Sequence, residues 1–209
     1  MPSSIRNIRR RVFFSLCSSA VIGCLSLCFS PYGMANTLDL MGGIAPKSTG
    51  KKPAQILQRL SHAHWFTQGN GPHIIYLFFD PNCPYCHLLI NELQPLIQPD
   101  QLTIRYTPVG FLESSSMGKA AAILEARNPL QALRKNEKGF REKGHQGAIA
   151  EILPNTATEQ ALRQNLAILE ATGQKTVPTM VYVNHHGEAR IIWQVLDPHD
   201  LAQTLKNIH

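Results

Sequence analysis

Residues 78–87 read FFDPNCPYCH. They close the run HIIYLFF (73–79), an unbroken β-prone apolar stretch of the kind found in a central strand buried on both faces. DPN breaks the strand. From Pro84 the chain reads as a helix over 84–94, with the proline in its first turn, where a missing N–H costs nothing. Cys83 and Cys86 therefore sit where a strand hands over to a helix. The first helical N–H groups and the positive end of the helix dipole favour a thiolate there. A thiolate is both a nucleophile and a leaving group. Cys83 is expected to be the exposed attacker. Cys86, one turn on and followed by Leu88 and Leu89, is expected to be the more buried resolving thiol. Pro84 and Tyr85 shape that first turn, and His87 flanks it. Asp80 is placed either to perturb the thiols or to form a turn with Pro81.

The same residues admit other chemistry. CPYCH (83–87) matches the attachment pattern of a c-type haem. Cys83, Cys86, His185 and His186 have the residue types of a zinc site. A plain structural disulfide is the third alternative, although so short a loop does little for stability.

Outward from the motif, the pattern is α/β. Residues 54–66 space apolar groups at helical intervals, and QGNGP (68–72) is a turn. QLTIRYT (101–107) alternates as a second strand, expected to pair in parallel with the first through the helix between them. Residues 108–116 form a loop, with Ser114, Ser115 or Ser116 as N-cap of a helix over 117–127. A weaker helix and a charged loop follow within 128–144. Residues 158–172 are an amphipathic helix closed by Gly173. TMVYVN (179–184) and ARIIWQ (189–194) read as a hairpin around HHG. Asp197 caps a last helix with Pro198 at its first position. A mixed sheet flanked by helices satisfies this order. Lys175-Thr176-Val177-Pro178-Thr179 enters the hairpin. If Val177–Pro178 is cis, the Val177 backbone faces outward to pair with an extended substrate, with Thr176 beside it.

The 209 residues carry 20 basic and 14 acidic side chains, five cysteines and 44% hydrophobic residues, which is globular composition. Residues 1–35 account for much of the apparent oddity. Arg6, Arg9, Arg10 and Arg11 precede an uncharged apolar run over 12–29, and Gly33 and Ala35 provide a small-x-small site. This is the pattern of a cleaved export signal. Lipidation of Cys24 after Val21-Ile22-Gly23, or retention of the run as a membrane anchor, are the rivals; each still exports the remainder. Without residues 1–35, 16 basic residues face 14 acidic ones, a net charge of about +2, and only Cys83 and Cys86 remain. That charge, with no aromatic interleaving in the basic run RKNEKGFREKGH, argues against a nucleic-acid partner. Residues 36–53, rich in Gly, Pro, Lys and Ser, read as a flexible leader, and 54–209 as one domain with a helical insert at about 111–155.

FFDPNCPYCH followed by TVPTMVY resembles the thioredoxin superfamily, and within it the DsbG/DsbC group of periplasmic disulfide oxidoreductases. The likeness runs through HWFTQGNGPHIIYLFFDPNCPYC, TPVGFLESSSMGKAAAILEARNPLQAL and VPTMVYVNHHG. It implies a thioredoxin fold with a helical insertion, Cys83 as nucleophile, Cys86 as resolving thiol and Pro178 as a cis-proline beside them. It also implies no metal or organic cofactor, exported proteins with thiols or disulfides as substrates, and a membrane disulfide reductase or oxidase as redox partner. The 37 residues from 36 to 72 leave no room for the group's N-terminal dimerisation domain, so a monomer or weak dimer is expected. Val177 stands where the group usually has threonine and is more like DsbA-type oxidants. A noncatalytic chaperone or assembly factor on the same scaffold is the alternative from another class.

Overall fold

The computed structural model describes residues 51–141 and 146–209. The span read as an export signal, the lipidation candidate Cys24, most of the span read as a leader and residues 142–145 of the basic run lie outside them.

The chain begins with helix α1 (Lys51–Leu60) and strand β1 (Phe66–Gly69), followed by β2 (His73–Phe79) and α2 (Pro84–Leu93). Strand β3 (Leu102–Pro108) leads into α3 (Ser116–Leu124), α4 (Pro129–Lys138) and α5 (Thr156–Ala171). The hairpin strands β4 (Thr179–Val183) and β5 (Ala189–Ile192) and helix α6 (Pro198–Lys206) complete it. Five strands form one mixed sheet in the order β1-β3-β2-β4-β5. β2 and β3 run parallel, in register from His73 opposite Leu102 to Phe79 opposite Pro108, and the other pairs are antiparallel.

β2 sits at the centre because both of its faces are apolar. Ile75, Leu77 and Phe79 point into a cluster closed by Leu89, Ile90 and Leu93 of α2, Leu133 of α4, and Leu201 and Leu205 of α6. Phe78 points the other way, against Ile56 and Leu60 of α1 and Ile168 and Leu169 of α5. Period-two alternation thus supplies both helical layers from one strand. Burying each such side chain contributes about 1.5–3 kcal/mol. Ala120 and Ala121 of α3 meet Leu162 of α5 in a smaller cluster. Gly173 follows the C-cap of α5 with φ +108°, a left-handed conformation that glycine adopts without steric cost. Among the described residues no helix is long and apolar enough to cross a membrane.

Three local expectations change. The first helix starts at Lys51, inside the span read as leader, and ends at Leu60 instead of running to Phe66. Trp65 and Phe66 matched helical spacing, yet Phe66 opens the short edge strand β1 opposite Tyr106. Its ring stacks on Tyr106 at 5.4 Å, so the aromatic contact across strands wins over local periodicity. α3 starts one residue early, and Ser115, at its N-cap, makes no capping bond with its side chain. Ser115 and Ser116 bond instead to Asp80 and Asn82, in the turn before Cys83.

Candidate active site

Cys83 is the N-cap of α2. Its extended backbone (φ −84°, ψ 111°) ends the turn from β2, its N–H donates to Asp80 O at 3.0 Å, and Pro84 opens the helix. Cys83 and Cys86 are joined as a disulfide with Cα atoms 5.2 Å apart. The Cys86 N–H donates to Cys83 Sγ at 3.1 Å, so one orphan donor of the helix is aimed at that sulfur.

The peptide bond between Val177 and Pro178 is cis. Val177 O lies 3.7 Å from Cys83 Sγ, which puts the loop before β4 against the more N-terminal sulfur. Thr176, on the same loop, accepts a hydrogen bond at its carbonyl from Thr179 Oγ1 at 2.8 Å. Thr176 and Val177 are half-buried and Pro178 is buried.

The expected contrast in exposure is absent: Cys83 is 2% and Cys86 1% exposed. With the sulfurs bonded to each other, Cys83 turns inward and Val177 covers it. The two differ in surroundings instead. Both belong to the apolar cluster built around α2, but Cys83 Sγ alone also meets Val177 O and the Cys86 N–H. Pro84 is exposed, as are Tyr85 (63%) and Leu88 (50%), so the turn around the disulfide faces solvent with an apolar surface.

His87 is held by contacts with α4, with Phe140 just beyond that helix and with its own helix. Its Nδ1–H donates to Glu137 Oε2 of α4 at 2.6 Å, Asn91 Nδ2 donates to its Nε2 at 2.9 Å, and its ring stacks on Phe140 at 4.7 Å. Both ring nitrogens are engaged within the protein. Among the described residues the ligand atoms that come together are those of Asp197, His199 and Asp200, all exposed, and the Cys83, Cys86, His185, His186 set is not gathered.

Asp80 is 1% exposed, and its role is larger than a turn. Oδ2 accepts from the backbone N–H groups of Phe111 (2.8 Å) and Leu112 (3.0 Å). Oδ1 accepts from the Asn82 N–H (2.9 Å) and Ser116 Oγ (2.7 Å). The carboxylate bridges the redox turn to the loop before α3. Sequence reasoning missed the other members of this clamp. Asn82 Nδ2 donates to Ser115 and Ser116 Oγ, and its Oδ1 accepts from Lys119 Nζ at 2.7 Å. Asn136 of α4, fully buried, donates through Nδ2 to Pro81 O at 2.8 Å. Gly147 closes the clamp, because a Cβ there would stand 2.1 Å from Asn136 Oδ1 and 2.4 Å from Pro81 O. The helical segment between β3 and α5 thus holds all three residues before Cys83.

A disulfide at a helix N-terminus, faced by a cis-proline loop on a five-stranded mixed sheet, defines a thioredoxin-like protein. Residues 63–209 match the model of the thioredoxin-like domain family, and the chain belongs to that family. It is 27% identical over 153 residues to the thiol:disulfide interchange protein DsbG of Pseudomonas aeruginosa, covering 72% of this chain and 59% of that protein. It is 32% identical over 85 residues to DsbG of Escherichia coli, covering 40% of this chain and 34% of that one. The chain therefore spans less than two thirds of the length of either relative. A crystal structure of a periplasmic thioredoxin-like protein from Salmonella enterica serovar Typhimurium superposes with a TM-score of 0.58 at 19% identity, over 73% of this chain and 94% of that one. That likeness supports the fold.

Proposed function

We propose that the chain is a periplasmic thiol:disulfide oxidoreductase acting on cysteines of exported proteins. The observation that carries this is the Cys83–Cys86 bond at the start of α2, with the Cys86 N–H on Cys83 Sγ and Val177 O against it. In the oxidising direction a substrate thiolate attacks Cys83 Sγ and the Cys86 thiolate leaves. A second substrate thiolate then attacks the substrate sulfur of the mixed disulfide. The substrate gains a disulfide and the protein takes up two electrons, with a thiolate at Cys83. In the reducing direction the Cys83 thiolate attacks a substrate disulfide. Cys86 then attacks Cys83 Sγ, and the substrate leaves as a dithiol. Pro84 and Tyr85 form the approach, and Val177, Pro178 and Thr176 are the ledge against which an extended substrate chain lies. Exposed Tyr85 and Leu88 suit a polypeptide with apolar side chains beside its cysteine.

The export pattern of residues 1–35 supports the periplasm, an oxidising compartment where such a pair has substrates. A membrane disulfide reductase or oxidase is the partner that resets it. Equilibration with glutathione tests the reading and fixes its direction. A potential near −120 mV marks an oxidant, and one near −270 mV a reductant. A pair that exchanges with no added thiol or disulfide over hours at neutral pH would overturn the reading.

A further inference from the structure

Lys119 is a lysine where a lysine is costly. It lies on α3 within SMGKAAAIL, is 8% exposed, and is flanked in sequence by the buried small residues Gly118, Ala120 and Ala121. Its Nζ donates to Asn82 Oδ1 at 2.7 Å and to Gly147 O at 2.8 Å. Both acceptors are neutral, and among the described residues no carboxylate lies within ion-pair distance of it. An unpaired buried ammonium costs several kcal/mol. Packing alone would be served by an apolar side chain, so the charge itself calls for a reason. The acceptor holding it supplies one, since Asn82 is bonded covalently to Cys83.

We infer that Lys119 is a positioning residue for the redox pair: its ammonium, seated behind Asn82, favours the Cys83 thiolate and thereby sets how readily the disulfide is reduced. This rests on Cys83 being the nucleophile. The path from Nζ through Asn82 to Cys83 Sγ can be no longer than about 13 Å when every link is extended. At that distance, with an effective dielectric of about 20, a unit charge shifts a thiol midpoint by about one pH unit, and by more if the path is folded. Other charged groups surround the motif. Asp80 is on the same loop, with its carboxylate spent on four donors; Glu113 is in the loop before α3; His87 and Glu137 pair where α2 meets α4; and Lys175, paired with Glu170, lies beside the cis-proline loop. Of these, Lys119 is the cation anchored to the residue preceding Cys83.

The electron balance makes the consequence measurable. Two glutathione thiols reduce the disulfide, forming glutathione disulfide, a thiolate at Cys83, a thiol at Cys86 and one released proton. Stabilising the thiolate favours this reaction. The test uses the full chain and three variants: Lys119→Gln, which keeps a donor for Asn82 without the charge; Lys119→Met, which fills the same space; and Lys119→Arg, which keeps the charge. Iodoacetamide alkylation of the reduced protein is followed against pH, with the modified cysteine identified by mass spectrometry. The glutathione equilibrium is measured beside it. The expected result is a Cys83 midpoint raised by about one unit in both neutral variants, an equilibrium up to about tenfold less favourable to reduction, and near-native behaviour in Lys119→Arg. An unmoved Cys83 midpoint and equilibrium in Lys119→Gln or Lys119→Met would overturn the inference and leave the oxidoreductase reading intact. Alkylation at Cys86 before Cys83 in the unsubstituted protein would overturn the nucleophile assignment, and this inference with it.

Discussion

Replacing Asp80 by asparagine keeps the shape of the side chain and removes the reason it is buried. The carboxylate accepts four hydrogen bonds of 2.7–3.0 Å, three of them from backbone N–H groups. An asparagine has one oxygen to offer. If its NH2 faces Phe111 and Leu112, two backbone donors confront two more. If it faces the other way, it meets the Asn82 N–H and Ser116 Oγ, which already accepts from Asn82 Nδ2 and the Glu113 N–H. Either orientation leaves at least one buried N–H unmet, at about 1–3 kcal/mol each, and replaces charge-assisted bonds by neutral ones. The expected loss is about 2–4 kcal/mol, a large share of the ~5–15 kcal/mol that stabilises a domain. Urea unfolding of the oxidised protein, followed by circular dichroism, measures it directly. In thermal melts the same loss should lower the midpoint by about 5–15 °C. A loss below about 0.5 kcal/mol would show that the four bonds are not what holds the redox turn to the loop before α3.

Gly147→Ala should destabilise by about 1–3 kcal/mol, because the new Cβ must displace Asn136 or the Pro81 carbonyl; an unchanged unfolding midpoint would refute the close approach. Burial of Tyr106 raises its phenol pKa, so its ionisation opposes the fold. Its stabilising effect is complete below the unfolded phenol value of about 10 and declines as pH rises above it. Tyr106→Phe should therefore flatten the fall in stability above pH ~10, while costing about 1 kcal/mol at neutral pH for its bonds to Gln68 and Gln94. Stability curves that stay parallel from pH 8 to 11 would contradict this.

The parts of this molecule that were legible from sequence are those governed by local rules. HIIYLFF is apolar on both faces and became the central strand. Pro84, Asp197 and Pro198 punctuate helices where the backbone allows a proline or needs a cap. β1 was not legible, because Trp65 and Phe66 fit helical spacing as well as they fit an edge strand, and only Tyr106 across the sheet decides between them. The clamp on the redox turn was illegible for another reason. Asp80 meets Ser116, Asn82 meets Lys119 and Pro81 meets Asn136 across 36 to 55 residues of chain. Polar side chains at such separations declare no periodicity. One signal was available: a lone lysine between Gly118 and Ala120 on a helix of small apolar residues is out of place unless something buried receives it.

The central claim is that Cys83 is the nucleophile of a redox pair that Cys86 resolves. It is tested most directly by mixing Cys86→Ser and Cys83→Ser variants with glutathione disulfide at neutral pH and weighing the products. The account predicts a mixed disulfide, heavier by one glutathione, that accumulates rapidly on Cys83 of the Cys86→Ser protein and slowly on Cys86 of the other. Equal rates, or faster capture at Cys86, would contradict it.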